Sequence, residues 1–286
     1  LRANGNGDPL PAADLRFFAI DGYPLAYQEA GEGDPLLLVH GSLADYRAWA
    51  SQIAPFAAAN NTIAVSLRHC YPERWDGTSG DFTIGRHADD LAAFIAGKSL
   101  GKVHLVGHSR GGAVAIQLAL RHPALVGGLV LADPGGLEDL LPDTSEGRRM
   151  AGESATMFAQ LRDDLARGDV SRAAHAFVDG LGGAGAWDRR TPSQKQMLLD
   201  NIATGPACAE RPRWTRRDLA TLAGPILLVT GARSPRRYSL MLAEMKRCNA
   251  QVTGLVAIAD AAHAMNRENP AAFNRAVLEF LAEHCA

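Results

Sequence analysis

Val103-His104-Leu105-Val106-Gly107-His108-Ser109-Arg110-Gly111-Gly112, continuing as Ala113-Val114-Ala115-Ile116-Gln117-Leu118-Ala119, is the stretch that decides how this chain folds. Val103 to Val106 is a short apolar run rich in β-branched residues and predicts a buried strand. From Gly111 to Arg121 the apolar residues recur at helical spacing, with no break before Pro123. Between the two lies Gly-His-Ser-Arg-Gly, a G-x-S-x-G sequence. A serine on so tight a strand-to-helix turn is held in strained dihedrals with its hydroxyl clear of the sheet. Gly107 and Gly111 flank it because side chains there would collide as the turn closes. The following helix aims its N-terminus at the site, where developing negative charge is favoured. The same five-residue pattern also occurs in ordinary turns. The strand before it and the helix after it make Ser109 a candidate nucleophile.

Upstream, residues 16–20 and 25–29 flank Asp21-Gly22 and predict a hairpin with a loop slightly longer than two residues. Residues 35–39 are wholly apolar and predict a strand buried on both faces. That strand runs into His40-Gly41-Ser42-Leu43. A His-Gly loop there suits an oxyanion hole, with one backbone N–H from Ser42 or Leu43 and a second from Arg110. An ordinary strand-to-helix turn is the alternative. A helix is expected over 46–59, a strand over 62–67, a long loop from Arg68 to Gly77, and a helix over 84–95 with Asp89 and Asp90 in solvent.

Downstream, residues 126–132 predict another buried strand ending at Asp133-Pro134-Gly135-Gly136. Residues 137–218 differ in character, being rich in Arg, Ala, Asp and Gly, with helical patterning over 150–167 and 170–179. They read as an inserted helical lid. Strands are expected again over 225–230 and 251–258, and a last helix over 271–283. Alternating strands and helices predict an α/β fold with a mostly parallel central sheet covered on both sides. The expected organisation is a flexible leader over 1–14, a core over 15–136 and 219–286, and the lid over 137–218.

At 286 residues and 47% hydrophobic content the chain is long enough for one such domain with an insertion. A net charge of -2 with scattered Lys and Arg argues against nucleic acid as a partner. No apolar run approaches the roughly 18 residues of a membrane span. Cys70, Cys208, Cys248 and Cys285 lie far apart, without C-x-x-C or a histidine at ligand spacing, and read as reduced thiols. No metal or organic cofactor is expected, the partner is a small-molecule substrate, and the expected compartment is the cytoplasm. The pattern leaves the oligomeric state open. The chain begins at Leu1, so an upstream segment also stays open.

The ordered set His40-Gly41, Gly107-His108-Ser109-Arg110-Gly111-Gly112 and Ala262-His263 resembles the α/β-hydrolase fold superfamily, over nearly the whole chain after the leader. The resemblance implies a histidine base in the loop after the last strand. His263, followed by Glu268-Asn269-Pro270, stands in that place. His108, next to the serine on a strained turn, reads as packing or support. The superfamily usually carries its acid after the strand at 226–230, but that loop is Gly231-Ala232-Arg233-Ser234-Pro235 and contains no carboxylate. Some branches draw the acid from the strand after the elbow helix, where Asp133 stands. An Asp-Pro turn is the plain alternative for Asp133, and Asp260, three residues before His263, is the rival acid.

The resemblance implies a serine hydrolase acting on a small carboxylic ester or lactone through an acyl-enzyme. An amide or C–C bond hydrolase with the same triad, or a slow-turnover ligand receptor on this fold, are the other readings. Arg68, Arg110 and Arg233 are expected at the ends of strands or on the elbow. Of these, Arg68 and Arg233 are candidates for binding a substrate carboxylate. Pointing into solvent, or pairing with a nearby carboxylate such as Asp45, Glu73 or Asp76, is the alternative, and Arg47 could do the same at its helix start.

Overall fold

The computed structural model describes residues 15–210 and 212–285. The expected leader over 1–14 lies outside the described residues. Strand β1 (Arg16–Ile20) turns into β2 (Tyr23–Ala30) with Ile20 opposite Tyr23. The hairpin loop is therefore the two residues Asp21 and Gly22, both at positive φ, shorter than the sequence pattern suggested. Positive φ at both positions is what lets so short a turn follow the strand twist.

Strand β3 (Asp34–Val39) leads through a 3-10 turn at Tyr46–Trp49 into helix α1 (Ala50–Phe56). The single helix expected over 46–59 is thus split. Asp45 caps the 3-10 turn by accepting from Arg47 N–H, which starts a tighter coil than the α-helix that follows. Strand β4 (Asn60–Val65), helix α2 (Ile84–Gly97), strand β5 (Val103–His108), helix α3 (Arg110–Arg121) and strand β6 (Val126–Ala132) follow. Next come helices α4 (Ser145–Ala166), α5 (Val170–Gly182), α6 (Pro192–Asp200) and α7 (Arg216–Ala220). Strand β7 (Ile226–Gly231), helix α8 (Arg236–Cys248), strand β8 (Val252–Ile258), the short α9 (Met265–Glu268) and helix α10 (Pro270–His284) complete the order.

Among the described residues eight strands form one sheet in the order β1-β2-β4-β3-β5-β6-β7-β8. β1 and β2 pair antiparallel with each other, β2 pairs antiparallel with β4, and every pairing from β4 to β8 is parallel. Alternate residues of the central strands face opposite layers. Leu37, Val39, Leu105 and Leu129 pack toward α2, α3 and α8. Leu36, Leu38, Val106 and Val130 pack toward Trp49, Phe56 and Phe273 of the other layer. Both faces being dry is why these strands read as continuous apolar runs. The strand order reverses at β3, whose neighbours are β4 and β5. Their carboxyl ends are where an open α/β sheet leaves a crevice. Among the described residues no helix is long and apolar enough to cross a membrane.

Candidate active site

Ser109 sits between β5 and α3 at φ 54°, ψ -120°, a conformation that costs a non-glycine residue of order 1–3 kcal/mol. The neighbours enforce it. A Cβ on Gly107 would lie 2.6 Å from the Gly111 carbonyl oxygen, and one on Gly111 would lie 2.1 Å from the Val39 carbonyl oxygen. Strand, turn and helix therefore touch backbone to backbone, and only glycine fits on either side of the serine. Ser109 N–H donates to the Ala132 carbonyl at 2.9 Å, and Gly135 N–H donates to the Ser109 carbonyl at 2.9 Å. These bonds tie the turn to the end of β6.

The loop after β3 is held by His40. Leu67 N–H donates to His40 Nε2 at 3.0 Å, so Nδ1 carries the proton and donates to the Gly41 carbonyl at 2.8 Å. Burial pushes this imidazole down to about 4, so it stays neutral in that role. Leu43 takes φ 54°, and Ser42 lines both cavities that reach Ser109. Arg110 supplies the first N–H of α3, which has no carbonyl to bond within its own helix.

His263 Nδ1 meets Asp133 Oδ2 at 3.2 Å, and both side chains are buried. Asp133 stands at φ 41° one residue beyond β6, with its N–H on the Val229 carbonyl at 2.9 Å. Ser234, from the loop after β7, donates its Oγ–H to the same Oδ2 at 2.6 Å. The loop in which the resemblance implies a carboxylate thus carries a hydroxyl that binds the carboxylate after the neighbouring strand. Asp260 is exposed, and its carbonyl accepts from Arg233 Nη2. Burial pushes the Asp133 carboxyl up, against the Ser234 hydrogen bond, which lowers it. Burial, helped by the charges of Arg237, Arg267 and Arg190, pushes the His263 imidazole down. An uncharged imidazole is the form that can take a proton. Its Nε2 is buried and makes no hydrogen bond among the described residues, and it shares a cavity wall with Ser109.

Supports surround this histidine, of which the sequence singles out His108 but not Tyr238 or Arg237. Tyr238 of α8 stacks on the His263 ring at 4.8 Å between centroids and 23° between planes. Arg237 lies 4.9 Å over the Tyr238 ring and pairs with Glu153 at 3.2 Å. His108 Nε2 donates to the His263 carbonyl at 2.7 Å, a supporting position. Glu268 accepts from Ala262 N–H at 2.6 Å, which closes the loop that carries the histidine. The Tyr238–His263 and Arg237–Glu153 contacts have no local sequence signature, because each joins elements far apart in the chain.

Of the arginines expected at the strand ends or on the elbow, Arg110 lines a cavity with Ser109, and the other two lie elsewhere. Arg68 is buried, with Nε and Nη2 each 2.8 Å from the Asp90 carboxylate and its guanidinium 3.8 Å over the Tyr23 ring. Asp90, expected in solvent, is buried for the same reason. A charge this deep is retained only when paired. Arg233 bonds the Asp260 carbonyl, and Arg110 reaches the Phe82 carbonyl at 3.3 Å and Glu210 at 3.5 Å. Arg68 and Arg233 line neither cavity that reaches Ser109, so the structure does not bring them to a substrate. Arg190 and Arg267 are the arginines that line one of them.

Met157, Phe158, Phe177 and Leu181, from α4 and α5, wall the cavities over Ser109. Each cavity is small, with a volume of about 30 Å³.

The model of the alpha/beta hydrolase family matches residues 36–276. Among solved structures, a thermophilic esterase from Thermogutta terrifontis with malate bound superposes with a TM-score of 0.74 at 27% identity. That match covers 94% of this chain and 97% of the esterase. A hydrolase from Pseudomonas aeruginosa PA01 superposes with a TM-score of 0.75 at 26% identity, covering 94% and 99%. A 2-hydroxy-6-oxo-6-(2'-aminophenyl)hexa-2,4-dienoic acid hydrolase of Metapseudomonas resinovorans is 32% identical over 140 residues, 44% of this chain and 46% of that one. The chain spans between 36% and 57% of the length of such curated relatives.

Proposed function

The chain belongs to the alpha/beta hydrolase family, and from that premise we propose that it is a serine hydrolase cleaving a small carboxylic ester or lactone through an acyl-enzyme. The observation that carries the reading is the convergence of three loops. Ser109 on its strained turn and His263 face one cavity, and Asp133 lies 3.2 Å behind the imidazole.

In this reading the Ser109 Oγ attacks the acyl carbon as His263 Nε2 takes the hydroxyl proton. Negative charge collects on the former carbonyl oxygen, where backbone N–H groups of Ser42 or Leu43 and of Arg110 stabilise it. Asp133 holds the proton of His263 on Nδ1 and stabilises the imidazolium that forms. Collapse expels the alcohol, which takes the proton from Nε2. Water then attacks the acyl carbon with His263 again as base, releasing the acid and restoring Ser109. The likeness to the thermophilic esterase, at 27% identity over almost its whole length, favours an ester.

A second reading, hydrolysis of an activated C–C bond, is favoured by the likeness to the hexadienoic acid hydrolase. The two separate in a steady-state panel of 4-nitrophenyl esters, small lactones and a vinylogous 1,5-diketone acid, each run with Ser109→Ala as the blank. Ester or lactone turnover absent from the blank supports the lead. Turnover confined to the diketone reverses the order. A stoichiometric burst of 4-nitrophenol without later turnover points to a receptor.

A further inference from the structure

Arg190 and Arg267 line the cavity beside Ser109 and His263, and neither forms a salt bridge among the described residues. Arg190 precedes α6 and Arg267 belongs to α9, and both line the cavity that holds Ser109, Gly41 and His263. Arg190 Nε and Arg267 Nε and Nη1 are buried and make no hydrogen bond among the described residues. Both residues are part-buried overall, and they differ from the fully buried arginines, since Arg68 is paired with Asp90, Arg110 with Glu210 and Arg237 with Glu153.

The carboxylates near enough to act on these two groups are Asp45, Asp179 and Glu268, and each is engaged elsewhere. Asp45 binds Arg47 and Asn201, at 2.7 Å and 2.6 Å. Asp179 accepts from the Gly185 and Trp187 N–H groups at 3.0 Å and 2.8 Å. Glu268 accepts from Ala262 N–H. A guanidinium keeps its charge and its fixed fork of donors, which matches a carboxylate. Burial and the charge of Arg190 hold Arg267 down to about 9. An anion between the two would relieve that repulsion and meet the idle donors together.

We propose that Arg190 and Arg267 form a carboxylate subsite, so that the substrate is an ester or lactone bearing a free carboxylate close to the scissile bond. The proposal rests on the serine-hydrolase reading above. The subsite lies on a cavity wall shared with the nucleophile, so the carboxylate stands only a few bonds from the carbonyl under attack.

The test compares matched esters that differ only in charge. 4-Nitrophenyl hydrogen glutarate is set against 4-nitrophenyl methyl glutarate, and 4-acetoxybenzoate against its methyl ester, so that the carboxylate sits on either side of the scissile bond. The expected result is a preference of about tenfold or more in kcat/KM for the charged member of at least one pair. It should fall toward unity in Arg190→Gln and in Arg267→Gln. The ratio within a pair is read because both arginines also act on His263, and that influence cancels. No preference in either pair, or a preference that survives both substitutions, overturns the subsite. Should none of the esters turn over, the hydrolase reading fails by itself, and calorimetry with glutarate decides the subsite. Binding to the wild type that disappears in the two variants upholds it, and no binding overturns it. If the variants do not fold, the wild-type ratio and wild-type glutarate binding decide alone.

Discussion

Ser234 Oγ donates to Asp133 Oδ2 at 2.6 Å, joining the loop after β7 to the carboxylate after β6. That oxygen is also the one His263 Nδ1 meets at 3.2 Å. The hydroxyl therefore orients the carboxylate but cannot replace its charge, and the two residues should respond differently to substitution.

Asp133→Asn is expected to lower kcat by up to roughly ten-thousandfold, because an amide can trap the wrong imidazole tautomer. Ser234→Ala should cost about tenfold or less, through looser placement of the carboxylate. Asp260→Asn, altering an exposed side chain, should leave kcat near wild type. Steady-state kinetics on one activated ester ranks the three. A severe loss in Asp260→Asn beside a mild one in Asp133→Asn would reverse the assignment of the acid.

Removing one partner of the buried Arg68–Asp90 pair should be costly. Both side chains are nearly inaccessible, at 7% and 2%, so Asp90→Ala leaves the buried guanidinium with only the longer, half-exposed contact to Asp81 at 3.6 Å. The expected loss is about 3–5 kcal/mol in urea unfolding. Asp89→Ala, on the exposed pair with Arg121, should cost less than about 1 kcal/mol. Equal costs would show that Asp90 is not held as described.

Stability should fall in mild acid. Burial depresses the imidazoles of His40, His87, His108 and His263 in the folded chain, whereas unfolded histidines titrate near 6.5. Below about pH 6.5 the unfolded chain therefore binds more protons than the folded one. The contribution of each histidine is complete above that pH and is lost as pH falls, at about 1.4 kcal/mol per unit. Asp133, whose carboxyl burial raises, acts in the opposite sense and offsets roughly one of the four. The urea midpoint at pH 5.5 should lie well below that at pH 7.5, and His87→Leu should make the difference smaller. A midpoint that rises on acidification would contradict these histidine environments.

Much of this arrangement is legible in the sequence because it is written in local chemistry. The apolar runs that form β3, β5, β6 and β7 are short and rich in β-branched residues or Leu, as strands dry on both faces are, and two glycines around Ser109 announce the tight turn. What stayed hidden depends on distant partners. Asp90 lies on a helix whose pattern does not distinguish solvent from a salt bridge, and its partner comes from the loop after β4. The Asp21-Gly22 turn is shorter than it looked because strand pairing extends to Tyr23. Tyr238, Arg190 and Arg267 reach His263 or its cavity from three separate segments, and each resembles an ordinary surface residue in its own neighbourhood. Arg68 and Arg233 mark the converse. Position at a strand end brought them near the crevice, while their own partners turned them away from it.

The central claim is that Ser109 is a nucleophile activated by His263, and covalent capture tests it most directly. The intact protein is treated with a fluorophosphonate probe at neutral pH, weighed by mass spectrometry and digested for peptide mapping. The account predicts one phosphonyl adduct per chain, on the peptide carrying Ser109, absent in Ser109→Ala and strongly slowed in His263→Ala. An unlabelled folded protein, or an adduct mapped to a different serine, would contradict it.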